Sequence, residues 1–332
     1  MVMSNKPLLV KDLGERGLLE RLQRFCPADV VGDDGAILTV DCDRSLVVTT
    51  DVLVDEVHFS DRTTSPFDVG WRSCAANLSD LAAMGATPLG ITVGLSLPGE
   101  RTVSWVEEVY RGIDACLKFA DTFLVGGDVC RSTVASLAIT AFGEVLPVRA
   151  IRRNQARVGD AIVVTGLHGL ARGGLEILLN SNRGKDLKLS ESRKLIEAHQ
   201  RPKPRLDILP YLKAIPDSVA IAGMDSSDGL ADAIVQICQC SQVGAIVESS
   251  SLAIYSGLSK LAGEMALEWL LYGGEDFELV LCLPKKIASN LVEGIAGDAA
   301  IVGEITKTCE VKIIDESGTE KILNISKGFQ HF

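Results

Sequence analysis

Apolar runs rich in β-branched residues alternate along this chain with stretches of helical, amphipathic spacing. Residues 45–54, from Ser45 to Val54, read as a strand with Asp51 late in it. Ser65 then Pro66 predicts a capped helix start, with the helix running to about Met84 and stopping at Gly85. In it Asn77 and Asp80 share one face, while Leu78, Leu81 and Ala82 pack on another. Residues 88–97 predict a strand, 102–120 an amphipathic helix, and 136–148 a further strand. Phe123-Leu124-Val125 reads as a short buried strand running into Gly126-Gly127-Asp128.

A boundary is expected near residues 149–160, where Arg149, Arg152, Arg153 and Arg157 cluster. A strand begins at Ala161, and Gly166, Gly169, Gly173 and Gly174 form a turn into a helix. Residues 181–194 are polar and read as a mobile loop. Residues 219–224 form a strand that delivers Asp225, and a helix runs from near Asp228 to about Cys240. Gly273-Gly274-Glu275-Asp276 precedes a strand from Phe277 to Leu283. The pattern is that of an α/β protein with domains at residues 1–150 and 151–332.

Composition narrows the function. A net charge of −11 argues against a nucleic-acid partner, whose footprint is basic, and suits a protein that needs divalent cations to hold an anion. The nine cysteines are odd in number and contain no C-x-x-C pair, so zinc-ribbon and disulfide readings fail and a reducing cytoplasm is expected. No apolar run reaches membrane-spanning length without a charge or proline.

The chemistry lies in five short motifs. They are Gly32-Asp33-Asp34-Gly35, Thr49-Thr50-Asp51, Asn77-Leu78-Ser79-Asp80, Gly126-Gly127-Asp128 and Asp225-Ser226-Ser227-Asp228-Gly229, with the acidic pair of Gly273-Gly274-Glu275-Asp276 before a strand as a further suggestive feature. Each taken alone is an ordinary turn or helix cap. Together, each at the edge of an apolar run, they predict a Mg²⁺–nucleotide site. Two carboxylates 4 Å apart repel by roughly 4 kcal/mol at an effective dielectric of 20, so a cluster of them calls for cations. Hard oxygen ligands suit Mg²⁺, glycines let backbone approach phosphate, and the helix opened by Ser227-Asp228-Gly229 offers N-terminal amides. The Walker motif, G-x-G-x-x-G after a strand, H-E-x-x-H and G-x-S-x-G are all absent. His58 follows the Asp51 strand closely, although a lone histidine is more often structural.

These motifs, in this order, resemble those of the thiamine-monophosphate kinase family of the aminoimidazole ribonucleotide synthetase-like superfamily. The residues that carry the resemblance include Thr50-Asp51 with His58-Phe59, Asn77 to Ala86, Gly126-Gly127-Asp128, Asp225 to Leu230 and Gly273 to Leu279. The resemblance implies two α/β domains, the first dimerising through its sheet into a homodimer, with ATP bound between them. It implies direct transfer of the γ-phosphoryl group of ATP to thiamine monophosphate. It further implies several Mg²⁺ ions on Asp34, Asp51, Asp80, Asp128, Asp225 and Asp228, and ATP contacts from Thr49, Thr50, Gly127, Arg153 and Ser227. His58, Glu275 and Phe329 would surround the thiamine moiety. Val129 stands where the family usually has Thr, and Phe277 where Tyr is commoner. Another ATP-using enzyme of the superfamily, or a non-catalytic nucleotide-binding protein, is the alternative reading.

Overall fold

The computed structural model describes residues 7–27, 30, 35–295, 297–324 and 327–328. Asp34 and Phe329 lie outside these residues. The chain forms two compact units, one of residues 1–42, 46–78 and 88–144, the other of residues 43–45, 79–87 and 145–332.

The first unit has helices α1 (Val10–Leu22), α2 (Pro66–Ala83, whose last residues count with the second unit) and α3 (Val103–Phe119). Its strands are β1 (Ser45–Val54), β2 (Thr87–Leu97), β3 (Leu124–Arg131) and β4 (Ser136–Val145), ordered β1-β4-β2-β3, with β2 and β3 parallel. Ser65 starts α2 as expected, its Oγ accepting the Asp68 N–H at 3.2 Å. Successive β4 residues alternate between buried and partly exposed, the mark of a sheet with one packed face. The β1 side chains on the other face are open, with Leu46, Val48 and Val52 about half exposed. Helices α2 and α3 touch backbone to backbone. A Cβ on Gly70 would stand 1.9 Å from the Val109 carbonyl oxygen, and one on Gly112 1.9 Å from that of Phe67.

The second unit holds a seven-stranded mixed sheet. Its strands are β5 (Asp160–Val164), β6 (Ala222–Asp225), β7 (Gly244–Glu248), β8 (Leu279–Pro284), β9 (Ala300–Thr306), β10 (Val311–Ile314) and β11 (Glu320–Ile322). They run in the order β11-β10-β7-β9-β5-β8-β6. The helices are α4 (Leu170–Leu179), α5 (Leu189–Gln200), α6 (Leu209–Lys213), α7 (Leu230–Ser241), α8 (Ser256–Ala262), α9 (Ala266–Tyr272) and α10 (Lys285–Ile295). Strands β5 and β6 are buried at every position. Alternate residues enter different cores. Ile162, Val164, Val280 and Cys282 pack with Leu230 and Ile234 of α7. Ala161, Val163, Leu279, Leu281 and Leu283 pack with Leu212 of α6 and Leu291 of α10. A sheet covered on both faces reads as a solid apolar run.

Two local expectations change. Gly126-Gly127-Asp128 does not follow its strand but lies inside β3, because β2 continues beside it in register, Val93 against Gly127. The polar stretch 181–194 is not all loop. From Leu189 on it is α5, whose Leu195 is fully buried. Among the described residues no helix is long and apolar enough to cross a membrane.

Candidate active site

In the first unit Asp51 sits on β1, where its N–H donates to Asn77 Oδ1 at 3.0 Å. Asn77 is fully buried and its amide donates to the Ser73 carbonyl at 3.0 Å, so this residue ties β1 to α2. Thr50 lies on the open face and shares a 2.8 Å hydroxyl contact with Thr140. Thr49, the next residue back, points to the opposite face. His58 Nδ1 accepts the Val54 N–H at 3.0 Å, which assigns the neutral ring a proton on Nε2.

A cavity of about 570 Å³ opens in this unit. Its wall combines apolar side chains such as Leu19, Leu22, Val40 and Leu46 with Gly126, Gly127 and Asp128. This is the usual composition of a small-molecule site, apolar with a few polar groups. A Cβ on Gly127 would lie 2.3 Å from the Val93 carbonyl oxygen, so glycine is required there by the neighbouring strand. Asp128 is exposed, whereas Val129 is buried and packs inward.

In the second unit β6 delivers Asp225, which is 3% exposed, and the Ser79 hydroxyl donates to its Oδ2 at 2.6 Å. Asp80, next to Ser79, is partly exposed and Asp228 is exposed. Among the described residues, buried Ser226 Oγ finds no partner. Gly229, at φ +111°, turns the chain into α7, and a Cβ there would meet the Leu271 carbonyl oxygen at 2.9 Å. Arg153 donates to Gln236 Oε1 of α7 at 2.8 Å, and Gln236 in turn donates to Asp232 at 2.5 Å.

The turn 273–278 lies against that loop. Glu275 N–H donates to the Ser227 carbonyl at 2.6 Å, and Ser226 N–H to the Glu278 carbonyl at 2.9 Å. Gly274, Glu275 and Phe277 have φ of +66°, +60° and +52°. Positive φ in a residue other than glycine costs on the order of 1–3 kcal/mol and persists only where the surroundings enforce it. Here they do. The Asp276 carboxylate accepts the N–H groups of Gly169 at 2.6 Å and Ala171 at 2.8 Å, at the start of α4. Glu278 accepts the Thr165 hydroxyl at 2.6 Å and pairs with Arg205. Burial pushes the Asp276 carboxyl up to about 7, against the pull of the two N–H groups. His199 Nδ1 lies 3.8 Å from Glu275 Oε2.

The donor set of carboxylates and hydroxyls, with an orphaned Ser226 Oγ beside Asp225, suits a hard cation and phosphate oxygens. Among the described residues no three His, Cys, Asp or Glu side chains converge as a ready metal cage. Mg²⁺ does not need one, since it takes one or two carboxylates together with substrate phosphates and waters.

Residues 32–145 match the AIR synthase related protein, N-terminal domain, and residues 157–316 its C-terminal domain. The chain is 50% identical to the thiamine-monophosphate kinase of Synechococcus elongatus over 335 aligned positions, 99% of each sequence. It belongs to the thiamine-monophosphate kinase family. Solved members share its fold. The enzyme from Stenotrophomonas maltophilia is 35% identical with a TM-score of 0.79, over 89% of this chain and 95% of that one. AaThiL complexed with AMPPCP and TMP is 31% identical with a TM-score of 0.76, over 97% and 98%.

The structure adds Ser79, Glu278, Thr165 and Arg205 to the residues singled out above. Ser79 stands inside the Asn77–Asp80 motif beside Asp80, and Asp276 belongs to the acidic pair with Glu275. No local signal pairs Ser79 with Asp225 or Asp276 with α4, because each pair is joined only by the folding of distant segments.

Proposed function

We propose that this protein is an ATP-dependent kinase that converts thiamine monophosphate and ATP to thiamine diphosphate and ADP. The observation that carries the reading is 50% identity over 99% of the chain to a thiamine-monophosphate kinase. That ThiL has been solved with AMPPCP and TMP supports the choice of both substrates. Thiamine monophosphate already bears the phosphate that receives the next one, so catalysis is a matter of placing donor and acceptor in line and stabilising charge.

The roles fall as follows. Residues 1–150 serve Mg²⁺ and ATP binding and dimerisation, and residues 151–332 serve ATP and thiamine phosphate binding. Asp34, Asp51, Asp80, Asp128, Asp225 and Asp228 would hold several Mg²⁺ ions, which when bound neutralise phosphate charge. Asp128, Asp225 and Asp228 would carry the catalytic roles. Asp225 is oriented for this by the Ser79 hydroxyl. Ser227 and the first amides of α7 receive phosphate oxygens. Thr49, Thr50, Gly127 and Arg153 would contact ATP, Arg153 being held by Gln236. The 570 Å³ cavity beside Gly127 and Asp128 suits the apolar part of the nucleotide.

His58, Glu275 and Phe329 would contact the thiamine moiety. Lys327 lies 5.7 Å from the Tyr272 ring centroid and 3.8 Å from Glu268, which sets Lys327 against α9. The half-exposed apolar face of β1 supports a homodimer formed through the first sheet. The reading also places the protein in the cytoplasm. The test is incubation with ATP, Mg²⁺ and either thiamine monophosphate or thiamine, followed by chromatography. Thiamine diphosphate should form from the monophosphate, and faster turnover of free thiamine would overturn the reading.

A further inference from the structure

We propose that Asp276 is a positioning residue that fixes Glu275 relative to the phosphate loop 225–229. This rests on the reading that the loop faces the phosphates and Glu275 the thiamine end. The two segments share a seam of main-chain contacts. Glu275 N–H reaches the Ser227 carbonyl, Ser226 N–H reaches the Glu278 carbonyl, and Asp225 pairs with Leu279 in the sheet. Glycine at 274 is needed for closeness at the seam, and glycine at 229 for closeness to α9. A Cβ on Gly274 would stand 2.8 Å from the Ser227 oxygen, and one on Gly229 2.9 Å from the Leu271 oxygen.

The turn beside the seam has positive φ at 274, 275 and 277. Its other side is pinned by the Asp276 carboxylate, one oxygen on Gly169 N–H and the other on Ala171 N–H. Gly169 is itself at φ +82°, packed so closely on α9 that a Cβ there would stand 2.9 Å from the Leu270 backbone. The carboxylate is therefore the bolt between α4 and the strained turn. Turning one oxygen into an amide sets an N–H₂ group against a backbone N–H, and the turn must shift. A displacement of about 1 Å in an in-line reaction can cost on the order of a hundredfold in rate.

The experiment is a double-mutant cycle with Asp276→Asn, Glu275→Gln and both together, measuring kcat and both Michaelis constants. Asp276→Asn should lower kcat at least about tenfold and leave the Michaelis constant for ATP within about twofold, while the protein still unfolds cooperatively. In the Glu275→Gln background the same change should cost less than about twofold, because the group it positions is already gone. A full loss in both backgrounds would mean a structural role only and overturn the proposal. Wild-type kinetics for Asp276→Asn with an impaired Glu275→Gln would overturn the proposal and leave the reading of Glu275 standing. An unimpaired Glu275→Gln would overturn both. Should Asp276→Asn not fold, Gly274→Ala displaces the turn from the Ser227 side with the carboxylate intact. It should show the same dependence on Glu275, and wild-type kinetics from it would sink the idea.

Discussion

The two sheets of this molecule solve the same burial problem differently. Strands β5 and β6 are covered on both faces, and their neighbours feed separate cores on each side. Strand β4 alternates, and β1 leaves Leu46, Val48 and Val52 about half exposed on the open face. The carboxylates follow the same division. Asp225 at the end of β6 is buried and takes a serine hydroxyl, while Asp128 within β3 is exposed. A doubly covered sheet fixes its functional groups by burial. A sheet with one open face lends a wall to a cavity and leaves apolar side chains half exposed.

The sharpest way to break that contrast is to place a charge on each sheet. Val163→Asp puts an unpaired carboxylate at a fully buried position and should unfold the chain, at a cost of several kcal/mol. Val48→Asp, at a position 52% exposed, should leave circular dichroism unchanged but yield monomers in sedimentation. Comparable loss of folding in both would erase the distinction.

Next in size are the two carboxylates. Asp128→Asn and Asp225→Asn should each lower turnover about a hundredfold, as for removal of one well-placed electrostatic group. Only Asp225→Asn should also shift the melting temperature, since only it disturbs a buried hydrogen bond. Equal thermal shifts would show that burial does not separate them.

A smaller, ligand-driven effect tests whether the sites act together. Mg²⁺ with a non-hydrolysable ATP analogue should raise the melting temperature by more than the sum of the separate shifts, because metal and nucleotide each neutralise charge that repels the other. Purely additive shifts, checked against EDTA with analogue, would count against a shared site.

The smallest effect belongs to the interior of the second unit. His168 is 2% exposed, its Nδ1 lies 3.2 Å from the Gly166 carbonyl, and burial lowers its pKa to about 4. The unfolded chain binds a proton there more readily than the folded one. Stability should therefore fall as pH drops from about 6.5 to about 4. In chemical denaturation the gap between the parent and His168→Gln should narrow over that range. A gap that stays constant would mean the imidazole is not held neutral.

Much of the fold was legible. Strand β1 spans the residues expected from its β-branched run, and α2 starts at the Ser65–Pro66 signal. The stretch 181–194 misled because α5 is polar over most of its surface and only a few positions, Leu195 among them, enter a core. Gly126-Gly127-Asp128 misled because double glycine signals a turn locally, whereas here Gly127 answers to a carbonyl of β2.

The sequence by itself determined the elements with a clear period, the family, and the residue types of the site, since these depend on neighbours a few positions away. Only the tertiary structure decided that Ser79 orients Asp225, 146 residues later, and that Asp276 caps α4 across 107 and 105 residues. It also decided which sheet face stays open. A carboxylate's partner is whichever donor the packed chain brings within 3 Å, and local pattern carries no record of that pairing.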